Sequence, residues 1–255
     1  MNEALRLCED GSHTLYSEKA GECYHSIHGA LNESLHIFID SGFRAVLNGF
    51  EDRQIGTVVP RLSLNSDDCN QETANPEAGT DSTTVRILEV GFGTGLNALL
   101  TAVLSDNEHI LVSYLGLEPF PIETDTVQQL NYSSILAGKS NLFFNAMHES
   151  EWETSLLIHP CFNFRKKKTG FMDADLPNDG FDLIYFDAFS PEAQPDLWEP
   201  EVFEKCFRVL AKDGVLVTYC AKGRVKRALK AAGFTVENLP GPPGKREITR
   251  ARKLI

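Results

Sequence analysis

The feature that most constrains this fold is an apolar run followed by a glycine-rich turn, Val85–Asn97. The run Val85–Val90 is rich in aliphatic and β-branched residues, which is typical of a strand buried in a parallel sheet. The stretch Leu96–Leu104 is then typical of a buried helix. The turn between them carries three glycines at alternate positions, Gly91, Gly93 and Gly95. This order predicts an anion- and nucleotide-binding corner, because glycine permits a sharp turn and close approach of a ligand to the main chain.

The glycine spacing narrows the choice of nucleotide. A dinucleotide fingerprint needs glycines at its first, third and sixth positions, but Leu96 stands at the sixth. A P-loop is excluded because no Gly-Lys-Ser/Thr follows. A second predicted strand, Ile110–Leu117, ends at Glu118, which lies 27 residues after Gly91. An acid at that place typically binds the ribose hydroxyls, because a carboxylate can accept hydrogen bonds from two adjacent hydroxyls.

The rest of the chain alternates strand and helix patterns, which predicts an α/β fold of three layers, α/β/α. We expect helices at 141–157, 199–210 and 223–232, and strands at 162–169, 181–186, 215–219 and 234–237, with 247–252 as a last antiparallel strand. The 162–169 strand contains three consecutive lysines, which favours a place at the sheet edge. Ligands bind beyond the carboxyl ends of parallel strands, so Asp187, directly after one strand, should face the reactive end of the cofactor.

The chain divides into three predicted regions. Residues 1–63 form a small N-terminal α+β extension, 64–84 an acidic flexible loop, and 85–255 the nucleotide-binding domain. Four histidines lie between His13 and Phe43, but their spacing matches no zinc pattern, so we predict no metal. No apolar stretch approaches the ~20 residues that span a membrane, and the polar, acidic first ten residues are unlike a signal peptide. We therefore expect a cytoplasmic protein whose six scattered cysteines are free thiols.

Charge is distributed very unevenly. The whole chain has a formal net charge of −12, yet residues 205–255 hold 13 Lys and Arg against 3 acids. A local basic patch can attract RNA even on an acidic protein, because phosphate binding depends on the local potential. The composition alone therefore excludes neither a nucleic acid nor a small molecule as substrate.

Several segments together resemble one bacterial family, the methyltransferases that complete the wobble-uridine side chain of tRNA. That family converts 5-aminomethyl(-2-thio)uridine into 5-methylaminomethyl(-2-thio)uridine. The similar segments cover most of the chain in the family's order; they lie at 24–36, 89–97, 148–152, 186–198, 218–223 and 241–247. The chain departs from the pattern in its extended acidic loop at 64–84 and at Lys226, Ile248 and Gly170, the last of which stands where an adenine-binding acid is expected. The similarity is to the stand-alone form, which lacks the FAD-dependent oxidase domain.

The resemblance implies a class I, Rossmann-like methyltransferase domain at 85–255 with S-adenosyl-L-methionine as cofactor. The cofactor residues that it implies are Glu89, Gly91, Phe92, Gly93, Thr94, Gly95, Asn97, Glu118, Asp187 and an adenine-binding acid, which is Asp173 or, as the open alternative, Asp175. The implied substrate and tRNA residues are Phe189, Pro191, Trp198, Lys222, Arg224, Lys245 and Arg246. The expected partners are the anticodon stem-loop of tRNA and an enzyme that supplies the aminomethyl group, with neither metal nor membrane.

The implied reaction is an in-line displacement at the methyl carbon of a sulfonium by a neutral amine. Asp187 is the expected catalytic residue, because a carboxylate can orient the amine through its N–H and take a proton. Phe189 or Trp198 would stack on the uracil ring.

Three other readings stay open at this point. A polyamine-type aminopropyltransferase shares the sheet, but the basic C-terminal region disfavours a cationic substrate. A DNA amino-methyltransferase would end its fourth strand in Asp/Asn-Pro-Pro-Tyr/Phe, whereas this strand continues as Asp187–Pro191. A binding module without catalysis would not need both Glu118 and Asp187.

Overall fold

A computed structural model describes residues 3–54 and 84–255. Within these residues the central sheet has eight strands in the order β10-β11-β9-β8-β4-β5-β7-β6. The strands are β4 (Val85–Val90), β5 (Val112–Leu117), β6 (Ser155–His159), β7 (Phe162–Lys167), β8 (Phe181–Phe186), β9 (Leu210–Thr218), β10 (Thr235–Pro240) and β11 (Glu247–Arg252). The five inner strands from β9 to β7 are parallel, and the antiparallel pairs lie at the two ends.

Helices cover both faces of this sheet, so the predicted three-layer α/β/α fold is confirmed. The helices are α1 (Ala30–Ser34), α2 (Arg44–Gln54), α3 (Leu96–Glu108), α4 (Thr124–Val127), α5 (Tyr132–Leu136), α6 (Ser140–Glu149), α7 (Pro200–Val209) and α8 (Gly223–Ala231). A π-helical stretch, Leu35–Phe43, joins α1 to α2, and a 3-10 turn, Pro195–Trp198, precedes α7. One core lies between the sheet and α3, α6 and the π-helical stretch, and the other lies between the sheet and α7 and α8.

The N-terminal region has two parts with different positions. Its strands β1 (Glu3–Leu7), β2 (His13–Ser17) and β3 (Glu22–Cys23) form a small antiparallel sheet. Its helical part packs on the central sheet, where Phe38 meets Tyr185 edge-on with ring centroids 5.2 Å apart. Gly42 fits there because a Cβ atom would lie 2.9 Å from the Val217 side chain. The predicted loop at 64–84 lies almost entirely outside the described residues, so the boundary there stays a prediction.

Two predicted elements differ from the structure. The expected helix at 141–157 ends at Glu149, and Ser155–His159 is instead the edge strand β6. The helix stops where buried Lys166 donates from Nζ to the carbonyls of Met147 and His148, at 2.8 and 2.7 Å, which satisfies the last turn. The strand that carries Lys166, β7, was expected at the sheet edge, but it pairs on both sides.

The C-terminal strands have a less obvious arrangement. Strand β11 closes the sheet as an antiparallel strand, as expected, but it inserts between β9 and β10. The turn between β10 and β11 is thereby brought to the carboxyl ends of the parallel strands, where β9 also ends. None of the described helices is long and apolar enough to cross a membrane.

Candidate active site

A cavity of about 670 Å³ opens at the carboxyl ends of β4, β5 and β8. Its floor is the glycine-rich turn after β4 together with the loop that follows β8. The small N-terminal sheet covers one side, where Glu22 accepts a hydrogen bond from the Ser190 amide at 2.5 Å and Tyr24 packs edge-on against Phe189. Lys19 lies over the Phe120 ring at 3.6 Å on the same side. The N-terminal extension is therefore part of the site.

The three glycines of the turn have positive φ angles of 91°, 47° and 75° at Gly91, Gly93 and Gly95. A Cβ at Gly91 would lie 2.5 Å from the Asp187 carbonyl oxygen, and one at Gly95 would lie 2.8 Å from His148 Nε2. Protein groups therefore fill the space that a Cβ atom would need at these positions, while Gly91 and Gly93 line the cavity with their main chain. The glycines are needed to bring the β4 turn against the β8 loop and helix α6.

Two histidines hold Thr94 from opposite sides. His25 Nε2 forms a hydrogen bond with Thr94 Oγ1 at 2.8 Å, and His148 Nε2 donates to the Thr94 carbonyl at 3.1 Å. Burial lowers the pKa of each histidine to about 4, so both rings are neutral at pH 7. His25 belongs to the N-terminal extension and His148 to α6, so the turn is fixed between two parts of the fold.

Glu118 ties the glycine turn to the tip of β5. Its Oε2 accepts from the Gly93 amide at 3.0 Å, and its Oε1 accepts from the Phe120 amide at 2.9 Å. The carboxylate lines the cavity, and burial raises its pKa. Each oxygen retains a lone pair for a hydroxyl group. Phe92 also borders the cavity, but most of its ring packs against Gly116, His148 and Phe164 in the core.

A chain of polar side chains leads from the buried end of β4 to the β8 loop. Asn97 donates from Nδ2 to Glu89 Oε1 at 3.0 Å and to Asp187 Oδ2 at 2.8 Å. Glu89 is 1% exposed and lies behind the cavity wall, where burial raises its pKa well above the ordinary value. Glu89 therefore orients Asn97, and Asn97 in turn orients Asp187.

Asp187 lies at the rim of the cavity with a strongly altered acidity. Burial, and next the charge of Glu33, raise its pKa to about 7, although the hydrogen bond from Asn97 and the charge of Lys245 act in the opposite direction. Lys245 pairs with Glu33 at 3.2 Å and lies 4.8 Å from the Tyr219 ring centroid. A carboxylate with a pKa near 7 can exchange a proton at physiological pH.

The expected uracil-stacking residues have different positions. Phe189 lines the cavity beside Tyr24. Trp198 is 4% exposed, donates from Nε1 to the Phe189 carbonyl at 2.8 Å and packs against Phe186 in the core. Trp198 therefore supports the Phe189 loop from behind, because a buried indole has no free face for a base, and the stacking role expected of it is wrong.

Neither of the two candidate adenine-binding acids lines the cavity. Gly170 and Phe171 line the cavity, whereas Asp173 and Asp175 are exposed and do not. Asp173 Oδ2 would lie 3.2 Å from a Cβ atom at Gly170, which places Asp173 next to the cavity wall. The choice of Asp173 stays a prediction.

The four basic residues expected at tRNA phosphates fall into separate groups. Lys222 forms an ion pair with Glu192, and Arg224 donates to the Pro191 carbonyl at 2.9 Å. Lys245 lies inside the cavity, as described above, and Arg246 is exposed. A shallower pocket of about 300 Å³ adjoins the cavity and is bordered by Pro191, Lys222, Lys245, Arg246 and Tyr219. Lys222, Lys245 and Arg246 therefore border the outer pocket together with Glu247, whereas Arg224 lines neither pocket.

Sequence reasoning assigned no role to three residues that shape this site, namely Tyr24, Glu33 and Tyr219. Each belongs to a segment that resembles the family. The available signal was position: Tyr219 directly follows β9, the strand next to the one that Asp187 follows, and the two strands pair in register at Tyr185 and Val217. Glu33 and Tyr24 come from the extension, and a single sequence does not indicate where that packs.

The cavity has the size and chemistry that S-adenosyl-L-methionine requires. Its volume falls within the range of small-molecule sites. Glu118 offers acceptors for hydroxyl groups, and Asp187 offers a negative charge to a sulfonium. The residues present therefore fit this cofactor.

Comparison with known proteins agrees with this assignment. Residues 167–254 match a family model described as S-adenosyl-L-methionine-dependent methyltransferase. A relative from Azoarcus sp. (strain BH72), named tRNA 5-methylaminomethyl-2-thiouridine biosynthesis bifunctional protein MnmC, is 29% identical over 98% of this chain. A protein of the same name from Cupriavidus metallidurans is 28% identical over 96% of it. The chain spans 35% and 33% of the lengths of these two relatives.

A solved structure shares the whole fold. The crystal structure of MNMC2 from Aquifex aeolicus is similar over 100% of this chain and 70% of that chain, with a TM-score of 0.70 and 21% identity. At 21% identity this similarity concerns the fold alone. It confirms the class I methyltransferase fold, and the similarity includes the N-terminal extension. In its fold, in its glycine-rich corner and in the sequence of residues 167–254, the chain is similar to S-adenosyl-L-methionine-dependent methyltransferases.

Proposed function

We propose that this methyltransferase transfers a methyl group to the exocyclic amine of 5-aminomethyl(-2-thio)uridine at the wobble position of tRNA. The observation that carries the proposal is Asp187, a carboxylate with a pKa near 7 that lines the cofactor cavity together with Tyr219 and Lys245, two residues that also border the outer pocket. The names of the relatives, which refer to 5-methylaminomethyl-2-thiouridine biosynthesis, support the same substrate.

Asp187 acts on the proton of the amine. An alkyl amine is mostly protonated at pH 7 and has no free lone pair in that form. Asp187 accepts an N–H hydrogen bond through Oδ1, since Asn97 already donates to Oδ2, and takes up the proton that the amine must lose. The nearby Glu33 carboxylate makes Asp187 a stronger proton acceptor by raising its pKa. When bound, S-adenosyl-L-methionine supplies an activated methyl group on a sulfonium.

Positioning contributes more than proton transfer. Holding two reactants in line can lower a barrier by about 7–11 kcal/mol. Asn97 fixes the Asp187 carboxylate by a hydrogen bond. The loop that follows is fixed in the same way, because Tyr219 donates to the Ala188 carbonyl at 2.9 Å and Trp198 donates to the Phe189 carbonyl at 2.8 Å. Phe189, on this rigid loop, provides an aromatic edge and face for the pyrimidine ring.

The basic rim of the outer pocket suits an anionic acceptor. Arg246 is exposed there, and Lys222 lies beside it in an ion pair with Glu192. We expect Arg246→Ala to weaken RNA binding and to reduce the salt slope of the affinity by about one. Lys222→Ala should have a smaller effect, because the Glu192 carboxylate already offsets the charge of Lys222.

An aminopropyltransferase is the other function that the fold permits. Its amine acceptor is a free cation, which needs an anionic binding surface. The outer pocket here is bordered by Lys222, Lys245 and Arg246 against Glu247, so it does not offer the anionic surface that a polycation needs. When the protein is incubated with decarboxylated S-adenosyl-L-methionine as donor and a diamine as acceptor, we expect no aminopropylated product. The enzyme that supplies the aminomethyl group and a cytoplasmic location stay predictions.

Methyl incorporation tests the proposal. The purified protein is incubated with S-adenosyl-L-methionine labelled in its methyl group and an anticodon stem-loop RNA that carries 5-aminomethyl-2-thiouridine. We expect incorporation of one methyl group per RNA, and none with a matched RNA that carries unmodified uridine. Asp187→Asn, which keeps the size of the side chain and its bond from Asn97, should lose most of the activity. Equal labelling of both RNAs would contradict the proposal.

A further inference from the structure

We propose that Tyr219 limits the reaction to a single methylation by serving, with Asp187, as one of two fixed acceptors for the two N–H groups of the amine. This inference rests on the proposed function, because it concerns how many methyl groups the same nitrogen receives. A primary amine has two N–H groups and one lone pair, and only the lone pair can attack the methyl carbon.

Asp187 and Tyr219 follow two adjacent parallel strands at the same distance beyond the strand ends. Strands β8 and β9 are parallel and in register, with Tyr185 opposite Val217, and Asp187 and Tyr219 each follow two residues later. Both residues line the cavity, and Tyr219 also borders the outer pocket. Tyr219 is therefore located where an acceptor that enters from the outer pocket reaches Asp187.

The hydrogen bonds already present decide what each group can still do. Tyr219 donates its hydroxyl proton to the Ala188 carbonyl at 2.9 Å, so its oxygen is left only as an acceptor toward the cavity. Burial, and next the charge of Asp187, raise the pKa of Tyr219, so the phenol keeps its proton. Asp187 accepts from Asn97 through Oδ2 and retains Oδ1. The amine therefore meets two acceptors whose positions are set by the protein.

When Asp187 and Tyr219 each accept one N–H hydrogen bond, the lone pair of the amine nitrogen can point in only one direction. With both N–H groups engaged, the lone pair faces the side of the glycine turn, where the cofactor binds. The amine first gives its ammonium proton to Asp187, which releases it to solvent before the transfer. As the nitrogen lone pair forms the new C–N bond, the C–S bond breaks and its electron pair stays on sulfur, so the product is a secondary ammonium. Its neutral form, which a second transfer would need, has one N–H group.

The secondary amine does not fit this arrangement a second time. To aim its lone pair at another methyl group, the product must place its own methyl group against one of the two acceptors. That methyl group overlaps an oxygen held at hydrogen-bond distance and leaves a buried acceptor unpaired, which is a strong form of discrimination. Removing the Tyr219 oxygen provides the space and abolishes the unpaired acceptor.

Tyr219→Phe tests the inference, since it removes only the hydroxyl group. The assay uses anticodon stem-loop RNAs that carry either 5-aminomethyl-2-thiouridine or 5-methylaminomethyl-2-thiouridine, with nucleosides quantified by mass spectrometry. We expect the variant to slow the first transfer by about two- to tenfold, the effect of one lost hydrogen bond. We expect it to raise the ratio of second to first transfer by at least about tenfold and to yield the dimethylamino nucleoside.

A matched control is Tyr16→Phe, because Tyr16 is not among the residues that line the cavity. The control should give only the monomethyl product at the wild-type rate. Thermal melting with and without S-adenosyl-L-homocysteine shows whether Tyr219→Phe is folded and binds the cofactor product. A folded variant that still stops at one methyl group overturns the inference, and so does one that transfers none. If the wild-type protein methylates neither RNA, the proposed function itself fails.

Discussion

Replacing Asp187 by Asn should abolish most of the activity and at the same time make the protein more stable at neutral and alkaline pH. The fold holds this carboxylate where burial and the charge of Glu33 disfavour ionisation, and the pKa of Asp187 is therefore about 7. An ionised Asp187 costs folding free energy that a neutral amide does not. Asn also preserves the bond from Asn97, because its side-chain oxygen can accept from Nδ2 in the same way.

The magnitude follows from the two pKa values. A tenfold change in an ionisation constant corresponds to about 1.4 kcal/mol, so raising the pKa from 3.8 to about 7 corresponds to about 4 kcal/mol of stability. Asp187 borders a cavity that admits water, and solvent screening reduces this cost. We therefore expect Asp187→Asn to gain about 2 kcal/mol at pH 8, or about 4–8 °C in melting temperature for a chain of this size.

The pH dependence identifies the cause. Because the pKa is higher in the folded state than in the unfolded state, the cost is absent below pH 3.8, grows between pH 3.8 and 7, and is complete above pH 7. Urea unfolding at pH 5 and pH 8 should show that the advantage of Asp187→Asn is smaller at pH 5 than at pH 8. Asp196→Asn, at an exposed position, is the control and should change neither value. A variant less stable than the wild type at pH 8, or a difference independent of pH, would refute the reasoning.

Three further outcomes are expected. Gly95→Ala should lower the unfolding free energy by about 1–3 kcal/mol in urea titrations, because φ is 75° and the new Cβ would lie 2.8 Å from His148 Nε2; an unchanged midpoint would contradict this. Glu118→Gln should weaken cofactor binding by about tenfold in calorimetry, because a charged acceptor for hydroxyl groups is lost; unaltered affinity would exclude that role. Glu33→Gln should move the acid limb of the kcat/KM profile to lower pH, because the charge of Glu33 raises the pKa of Asp187; a limb that stays near pH 7 would argue against this link.

The sequence predicted those parts of the fold that depend on local pattern. Strand β4, the glycine turn and the start of α3 were expected at the observed residues because buried parallel strands and glycine spacing leave a strong local signal. The helix expected at 141–157 was too long, because the apolar run in β6 is compatible with a helix until the pairing with β7 is known. The lysines of β7 suggested an edge, yet Lys166 is buried because two helix carbonyls accept its protons. These two carbonyls, of Met147 and His148, lie 19 and 18 residues before Lys166 in the sequence, so no local pattern indicates the contact.

The site was predictable where it depends on strand ends and less so where it depends on packing. Asp187 and Glu118 were expected at the carboxyl ends of β8 and β5 and line the cavity there. The resemblance did not show that Trp198 is buried, because core and stacking aromatics have the same pattern. It also did not show that Glu33 pairs with Lys245, because this contact joins the two ends of the chain.

The most direct test of the account is to locate the transferred methyl group. Wild-type protein, anticodon stem-loop RNA with 5-aminomethyl-2-thiouridine and deuterated-methyl S-adenosyl-L-methionine are combined, and the digested nucleosides are fragmented by tandem mass spectrometry. We predict a single labelled methyl group on the exocyclic nitrogen of the wobble nucleoside, with Asp187→Asn strongly impaired. Label on a ring atom, on the ribose or at another position of the RNA would contradict the account.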